Sequence, residues 1–163
     1  MPAQTPAPTA AVLTISDSSH IGTRPDASGP AVAAALKQRG FDVVATALVP
    51  DERDAIERDL IRLCGMAQLV VTTGGTGIAI RDVTPEATLA VCDRTVPGIA
   101  ERMRAEGAHK TPNAALSRAV CGIRGTTLIL NLPGSPAAAS ESLLAVVEAL
   151  PHALQLLAGR TGH

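Results

Sequence analysis

Residues 69–86 read LVVTTGGTGIAIRDVTPE, and this stretch decides the fold that we predict. It opens with an apolar run whose length and β-branched composition are typical of a strand buried on both faces. A glycine-rich turn follows, and Thr84, Pro85 and Glu86 then supply the cap, the first-turn proline and the first-turn acid of a helix. A strand that leads through a tight turn into a helix is the repeating unit of a parallel sheet covered by helices.

The same alternation continues on both sides of this stretch. Strands are predicted at residues 11–16, 43–49, 119–123 and 126–132, and helices at 28–40, 51–64, 84–93, 98–106 and from 136 to 159, with an interruption near Pro151. We therefore predict one domain over residues 11–159, a three-layer α/β/α fold with a mostly parallel, Rossmann-like sheet. Residues 1–10 are rich in proline, alanine and threonine and are predicted to be a disordered tail.

Composition excludes several classes of function. The formal net charge of −1 provides no basic surface for nucleic-acid phosphates, and Phe41 is the only aromatic residue, so single-stranded bases have no stacking platform. The apolar runs are far shorter than the ~20 residues of a membrane span, and residues 1–10 lack the features of a secretory signal. We expect a cytoplasmic protein that binds neither nucleic acid nor membranes, with its three separated cysteines as reduced, buried side chains.

Polar and glycine-rich segments follow the predicted strands where those strands end. In chain order these segments are Ser16-Asp17, Asp51, residues 74–77 with Asp82, and the PGSP of residues 133–136. Because ligands bind at the carboxyl ends of strands in open α/β sheets, and helix N-termini attract anions, we expect a phosphate-bearing ligand there. The glycines alone leave a second interpretation open, which is a tight turn without a ligand.

The turn at residues 74–77 lacks the lysine of a P-loop, so it can cradle an anion without neutralising it. Two unit charges roughly 4 Å apart interact by about 4 kcal/mol at an effective dielectric near ~20, so two phosphates need cationic help to meet. Four basic residues are candidates for this role: Arg24, Arg81, Lys110 and Arg118. Asp51 and Asp82 indicate instead a bound Mg²⁺, which takes carboxylates together with substrate phosphates. Two alternatives stay open, Asp51 as only a helix cap and Asp82 as only the ion-pair partner of Arg81.

Other catalytic chemistries find little support in the sequence. A GxSxG nucleophile elbow is absent, and Ser135 sits in PGSP, where it is a natural helix cap. His20 lies in the first loop, where a solvated side chain is the main interpretation and ligand contact the second. The cysteines and histidines show no spacing typical of a metal site.

Taken together, these loops resemble those of the MogA/MoaB family, which includes the N-terminal domain of gephyrin. The most specific stretch is TTGGTGIAIRDVTPEAT at residues 72–88, where the family has TTGGTG, a short variable piece and RDVTPEAT. Further motifs follow in the family's order: TISDS with DASGP downstream, VPDE at 49–52, LSR at 116–118 and LILNLPGSP at 128–136. The resemblance covers nearly the whole chain, from about residue 12 to about residue 157.

The resemblance implies a role in molybdenum cofactor biosynthesis, as an adenylyltransferase that moves AMP from ATP to the terminal phosphate of molybdopterin, releases pyrophosphate and uses Mg²⁺. Asp51 and Asp82 match the family's catalytic acids, and the metal is assigned to them. The pocket implied for molybdopterin and ATP is lined by Ser16, Asp17, Asp26, Ser28, Gly29, Gly74, Gly75, Thr76, Gly77, Ser117, Pro133, Gly134 and Ser135. A homotrimer and a downstream molybdenum insertase as partner are further expectations from the family.

Two other functions stay open at the level of sequence. The first is a non-catalytic molybdopterin-binding relative that acts as a carrier or scaffold, although a mere binder would have no use for the acid pair. The second is hydrolysis of a nucleotide pyrophosphate, as in competence-damage proteins of the same fold, which are usually longer. The chain also departs slightly from some relatives, because residues 78–80 (IAI) are more apolar and leave Arg81 as the loop's only cation.

Overall fold

One sheet of six strands forms the centre of the computed structural model, which describes residues 4–162. In chain order the strands are β1 (Thr9–Ile15), β2 (Asp42–Val49), β3 (Leu69–Thr73), β4 (Arg94–Thr95), β5 (Cys121–Arg124) and β6 (Thr127–Leu132). They lie side by side in the order β2-β1-β3-β6-β5-β4. The four adjacent strands β2, β1, β3 and β6 are parallel to one another. β5 is antiparallel to β6, and β4 is antiparallel to β5. The prediction of a mostly parallel sheet is therefore confirmed.

Helices cover both faces of the sheet. They are α1 (Asp17–His20), α2 (Ser28–Gln38), α3 (Arg53–Cys64), α4 (Thr84–Val91), α5 (Pro97–Ala108), α6 (Pro136–Val146) and α7 (Leu150–Leu157), with 3-10 segments at Pro112–Leu116 and Val147–Ala149. Successive strand side chains point to opposite faces, so Val12 packs in a core with α2, α5, α6 and α7, and Leu13 packs with α3 and α4. These two cores confirm the three-layer α/β/α prediction. Across residues 4–162, no helix has the length and apolar character that a membrane crossing requires.

The centre of the sheet is the firmest support for the loops that follow it. β3 lies between β1 and β6, and all of its residues are buried, as predicted for a strand covered on both faces. Each fully buried aliphatic side chain contributes roughly 1.5–3 kcal/mol to folding. A strand buried in this way has a well-fixed backbone. The glycine turn follows β3 directly, so its first residue is held in a defined position.

The amino-terminal boundary differs from the prediction. β1 begins at Thr9, so Thr9 and Ala10 belong to the sheet and not to a tail of residues 1–10. Composition pointed to a tail, but Thr9 and Ala10 pair with Asp42 and Val43 of β2, and this backbone pairing decides the boundary. Residues 1–3 of the predicted tail lie outside the described residues.

Three short elements have no counterpart among the predicted ones: α1, β4 and the 3-10 segment Pro112–Leu116. Each is too short for a hydrophobic period to appear in its sequence. The helix starts also shift, because α2 begins at Ser28 itself after Ala27, and α3 begins at Arg53 after Glu52. Ser28 and Asp51 are therefore not the N-caps that the sequence suggested.

The prediction that all three cysteines are buried holds fully for only one of them. All three are free, with Cys121 buried and Cys64 and Cys92 half-buried. Burial raises the pKa of Cys121 to about 12, which leaves its thiol protonated at neutral pH.

Candidate active site

The carboxyl ends of β1, β2, β3 and β6 lie at one edge of the sheet because these strands are parallel. The loops that follow them meet around a cavity of about 340 Å³, which we name the polar cavity. The predicted site residues that line it are Ser16, Asp26, Ser28, Asp51, Gly74, Gly75, Asp82, Gly134 and Ser135. Both proposed metal ligands and the glycine turn thus come together, although they are far apart in sequence.

A second cavity of about 590 Å³ adjoins the same turn, and we name it the apolar cavity. It lies between α5, the segment Pro112–Leu116 and α6, and Met103, Leu116 and Leu144 are among the aliphatic side chains that line it. The predicted site residues found here are Thr76, Gly77, Ser117 and Pro133. The sequence predicted a single pocket and did not reveal the aliphatic residues on helices that line this second cavity. Such residues form no recognisable sequence motif.

The glycine turn is shaped by close contacts with neighbouring elements. Gly74 and Gly75 have φ angles of 102° and 69°, which favour glycine. A Cβ on Gly74 would lie 2.2 Å from the carbonyl oxygen of Ile15, and one on Gly75 would lie 2.3 Å from Oγ1 of Thr84. The Thr84 hydroxyl donates to the carbonyl of Gly74 at 2.9 Å instead of capping α4. These packing contacts alone explain the two glycines, so the ligand hypothesis must rest on the surrounding carboxylates.

Asp17 and Asp51 form two reciprocal hydrogen bonds, in each of which a main-chain N–H donates to the other residue's carboxylate. The N–H of Asp17 donates to Oδ2 of Asp51, and the N–H of Asp51 donates to Oδ1 of Asp17, both at 2.9 Å. Burial, with the nearby charges of Asp17 and Asp82, raises the pKa of the Asp51 carboxyl despite this hydrogen bond. The helix-cap interpretation of Asp51 is wrong, because its side chain reaches across to the loop after β1.

Asp82 is not the partner of Arg81. Arg81 binds Asp17 through Nε and Nη2, at 2.9 and 2.8 Å, and this pairing lowers the pKa of the Asp17 carboxyl. Oδ2 of Asp82 instead accepts the N–H of Ala79 at 3.1 Å, a hydrogen bond within the loop that carries both residues. The ion-pair interpretation of Asp82 is therefore wrong, and Asp82 remains free of a cationic side-chain partner within residues 4–162.

The aspartates fit a hard divalent cation. Asp51 and Asp82 each use Oδ2 for a backbone amide, and within the described residues Oδ1 of each has no hydrogen-bond donor. Carboxylate oxygens of this kind are the ligands that Mg²⁺ prefers. In residues 4–162 no group of three or more histidine, cysteine, aspartate or glutamate side chains forms a complete metal site. A cation at this pair would therefore depend on water and substrate phosphates for its remaining ligands.

Asp26 shapes the wall of the polar cavity next to β1. Its Oδ2 accepts the Thr14 hydroxyl at 2.8 Å, and its Oδ1 accepts the N–H of Gly29 at 3.0 Å. Asp26 thus takes the capping role that the sequence suggested for Ser28. Gly29 is needed because a Cβ there would lie 2.3 Å from Oγ1 of Thr14. Gly29 and Asp17 support the cavity wall, and neither of them lines the cavity itself.

The PGSP loop packs directly on the glycine turn. The predicted cap at Ser135 is confirmed, because its Oγ accepts the N–H of Ala138 at 3.2 Å at the start of α6. Thr73 donates its hydroxyl to the carbonyl of Pro133 at 2.8 Å, and a Cβ on Gly134 would lie 3.5 Å from Cα of Gly74. The two loops therefore form one continuous wall.

The four candidate cations have different environments. Arg81 pairs with Asp17, Lys110 with Glu141 and Arg118 with Glu86. Arg24 lines the polar cavity and has no ion pair within residues 4–162. His20 is exposed at the end of α1, in line with a solvated loop side chain.

Comparison with known proteins gives a consistent result. The model of a family described as probable molybdopterin binding domain matches residues 11–152. A Helicobacter pylori (strain J99) protein named molybdopterin adenylyltransferase is 45% identical over 152 residues, which cover 91% of this chain and 86% of that protein. The molybdopterin biosynthesis enzyme MoaB from Thermus thermophilus has 51% identity and a TM-score of 0.88, covering 93% of this chain and 97% of its own. The tungsten cofactor synthesizing protein MoaB from Pyrococcus furiosus has 31% identity and a TM-score of 0.86, covering 94% and 98%.

The fold is an α/β sheet covered by helices, with a glycine turn and two aspartates at the carboxyl edge of the sheet, where proteins of this class bind their ligands. The chain belongs to the molybdopterin-binding family whose model it matches. The resemblance seen in the sequence motifs is thereby confirmed.

Proposed function

We propose that this chain transfers the adenylyl group of ATP to the terminal phosphate of molybdopterin and releases pyrophosphate, with Mg²⁺ held by Asp51 and Asp82. The names of its relatives support the reaction. One feature of the site carries the proposal: two aspartates, each with an unused carboxylate oxygen, line a cavity that shares its glycine turn with a second cavity. That arrangement suits two phosphorylated substrates that meet at one place.

The proposed reaction needs no nucleophile from the protein. An oxygen of the molybdopterin phosphate attacks the α-phosphorus of ATP, and the bond from that phosphorus to the bridging oxygen breaks. The electron pair of this bond leaves with pyrophosphate. The hydroxyls of Ser16 and Ser135 accept backbone N–H groups as helix caps, which suits a supporting role for them. The chain contributes positioning and charge compensation, as in phosphoryl transfer generally.

The acid pair is arranged to hold a cation between the loops. Mg²⁺, when bound, supplies positive charge beside the reacting phosphates. Asp51 would bind it through Oδ1, since its Oδ2 is held by the N–H of Asp17. Asp82 would bind it through Oδ1 from the opposite loop, since its Oδ2 is held by Ala79. Arg81 neutralises Asp17 and so reduces the excess negative charge around this pair.

The two cavities suit different parts of the substrates. Phosphate groups fit the polar cavity, where the glycine turn and the PGSP loop leave backbone accessible. A flat ring needs a surface to lie on, and the chain has no tryptophan or tyrosine to provide one. The aliphatic walls formed by Met103, Leu116 and Leu144 supply that surface in the apolar cavity. We therefore place the ring system of one substrate there.

The direct test is incubation of the purified protein with molybdopterin, ATP and MgCl₂, followed by mass spectrometry of the products. Adenylylated molybdopterin and pyrophosphate are expected in equal amounts, and EDTA should abolish both. Molybdopterin that binds but stays unmodified would indicate a carrier instead. Release of AMP or pyrophosphate in the absence of molybdopterin would indicate a nucleotide hydrolase.

We further propose a cytoplasmic homotrimer that passes its product to a molybdenum insertase. These proposals rest on the family resemblance. Light scattering coupled to size-exclusion chromatography gives the number of subunits, and a mass other than three times that of the 16.6 kDa chain would contradict the trimer. Co-purification with the insertase, with and without the product bound, tests the hand-over.

A further inference from the structure

The loop between the glycine turn and Asp82 is exposed, yet it carries one of the two proposed metal-binding carboxylates. Ile78 and Ile80 are 69% and 99% exposed. Inside the loop, the described hydrogen bonds run from the N–H of Asp82 to the carbonyl of Ala79 at 3.0 Å, and from the N–H of Ala79 to Oδ2 of Asp82 at 3.1 Å. A loop with so few internal contacts opens easily unless something outside it provides support.

Two arginines provide that support. Arg81 ties the middle of the loop to Asp17 through an exposed ion pair, and Arg118 holds the two ends of the loop. The Nε of Arg118 donates to the carbonyl of Gly77 at 2.8 Å, where the loop begins, and its Nη2 donates to the carbonyl of Asp82 at 2.7 Å, where the loop ends. Its Nη1 pairs with the carboxylate of Glu86 in the first turn of α4. The backbone N–H of Arg118 donates to the carbonyl of Thr76 at 2.8 Å. One residue therefore joins both ends of the loop to the helix that follows.

We propose that Arg118 is a positioning residue for adenylyl transfer, whose guanidinium fixes both ends of the loop of residues 77–82 and so determines where the Asp82 carboxylate lies. The role rests on the proposed function, because it matters only if Asp82 serves the reaction. Arg118 lines neither the polar nor the apolar cavity, so it acts through Asp82 and not on a substrate.

The guanidinium group is required for this contact pattern. Its planar fork points donors in several directions, and the three acceptors belong to the loop start, the loop end and α4. A lysine ammonium is a single point charge at the end of a flexible chain and cannot span these acceptors together. Lysine at position 118 would keep the charge beside Glu86 but lose the geometry.

Glu86 keeps the guanidinium oriented. The Arg118 hydrogen bond holds the pKa of the Glu86 carboxyl below its usual range, so Glu86 stays ionised at neutral pH. Glutamine at position 86 would keep an acceptor of the same shape and remove the charge. We expect it to loosen the clamp partially, with a smaller effect than loss of the arginine.

The test compares kcat, both KM values and the thermal midpoint in the wild type, Arg118→Ala, Arg118→Lys and Glu86→Gln. Arg124→Ala is the matched control, because Arg124 is also partly buried and donates to a backbone carbonyl, that of Val91 at 2.9 Å, away from both cavities. Arg118→Ala is expected to lower kcat about 10²-fold, the order of effect of a catalytic group displaced by ~1 Å, with both KM values near wild type.

Chemical rescue separates positioning from a purely structural role. Guanidinium ions added below denaturing concentrations should restore much of the kcat of Arg118→Ala and do nothing for the wild type or Arg124→Ala. Arg118→Lys should stay slow although its charge is retained. Should Arg118→Ala fail to fold, Arg118→Lys and Glu86→Gln decide the question through a lowered kcat at an unchanged thermal midpoint.

Three results would overturn the role of Arg118: wild-type kcat in Arg118→Lys, a loss in Arg124→Ala equal to that in Arg118→Ala, or no response to guanidinium in a folded Arg118→Ala protein. A wild-type protein that forms no adenylylated molybdopterin would overturn the proposed function instead. That outcome is recognised without any variant, so the two failures are distinguishable.

Discussion

The polar cavity and the apolar cavity share one glycine turn but are formed by different kinds of structural element. The polar cavity is made of strand ends and short loops, whose aspartates and serines are held by backbone hydrogen bonds. The apolar cavity is made of side chains on α5 and α6 with the 3-10 segment between them. We propose that the two cavities serve different steps, with the reaction at the sheet edge and ring binding between the helices. Substitutions in the two cavities should therefore have different kinetic signatures.

The largest effect is expected at Asp82. Asp82→Ala should lower adenylyl transfer about 10³-fold, the upper end of the loss expected when a preorganised electrostatic group is removed from a reaction site. Binding of molybdopterin, followed by isothermal titration calorimetry, should survive because the glycine turn and the apolar cavity remain. Turnover close to wild type would remove Asp82 from the reaction.

Asp51→Asn is expected to lower Mg²⁺-dependent turnover about 10²-fold while folding stays intact. Asparagine keeps an oxygen that can accept the N–H of Asp17 but loses the charge that would hold the proposed cation. A steady-state titration with Mg²⁺ measures the effect. Equal losses in rate and in thermal midpoint would favour a structural role for this side chain.

The half-buried position of Asp51 also predicts how pH affects stability and metal binding. Burial raises the pKa of its carboxyl, so without metal the ionisation of Asp51 costs more in the folded protein than in the unfolded chain and reduces stability above the raised pKa. This cost is relieved as the pH falls through the folded-state pKa. At neutral pH without Mg²⁺, Asp51→Asn should therefore melt at or above the wild-type temperature, and wild-type affinity for Mg²⁺ should weaken as the pH falls through the raised pKa.

A substitution in the apolar cavity should affect binding and not metal use. Ala138 lines this cavity, whereas the neighbouring Ala137 is exposed and lines neither cavity, so Ala137→Leu is the matched control for Ala138→Leu. Overfilling a close-packed site costs about 1–3 kcal/mol, so KM for one substrate should rise roughly 5- to 160-fold. Unchanged KM values for both substrates would show that no ring lies in this cavity.

The smallest effect is expected at the exposed pair of Arg81 and Asp17. The pair is well aligned but open to solvent, so Arg81→Ala should leave the thermal midpoint almost unchanged. Any contribution of this pair to folding stability is present above the ordinary pKa of aspartate. It is lost as the pH falls through the lowered pKa of Asp17. Circular dichroism melts at neutral and acidic pH measure this, and a large drop at neutral pH would show that the pair holds the two loops together.

Sequence patterns predicted the polar cavity far better than the apolar one. The strand ends and the cap at Ser135 follow from hydrophobic period and local turn chemistry, and both were confirmed. Two alternatives that the sequence left open, Asp51 as a helix cap and Asp82 as the partner of Arg81, are wrong. Both considered only neighbours in sequence, whereas Asp51 and Arg81 contact Asp17, which only the folded sheet brings close. The wall at Leu144 was missed because an aliphatic residue on a helix looks the same whether it faces a core or a ligand.

Asp51 and Asp82 are proposed to hold a divalent cation in the polar cavity. This central claim is tested most directly by anomalous diffraction from crystals soaked with Mn²⁺, which substitutes for Mg²⁺, and a non-hydrolysable ATP analogue. We predict a Mn²⁺ peak within coordination distance, roughly 2.0–2.2 Å, of one oxygen of each aspartate and of the analogue's phosphates. A peak elsewhere, or aspartates turned away from the phosphates, would contradict the account.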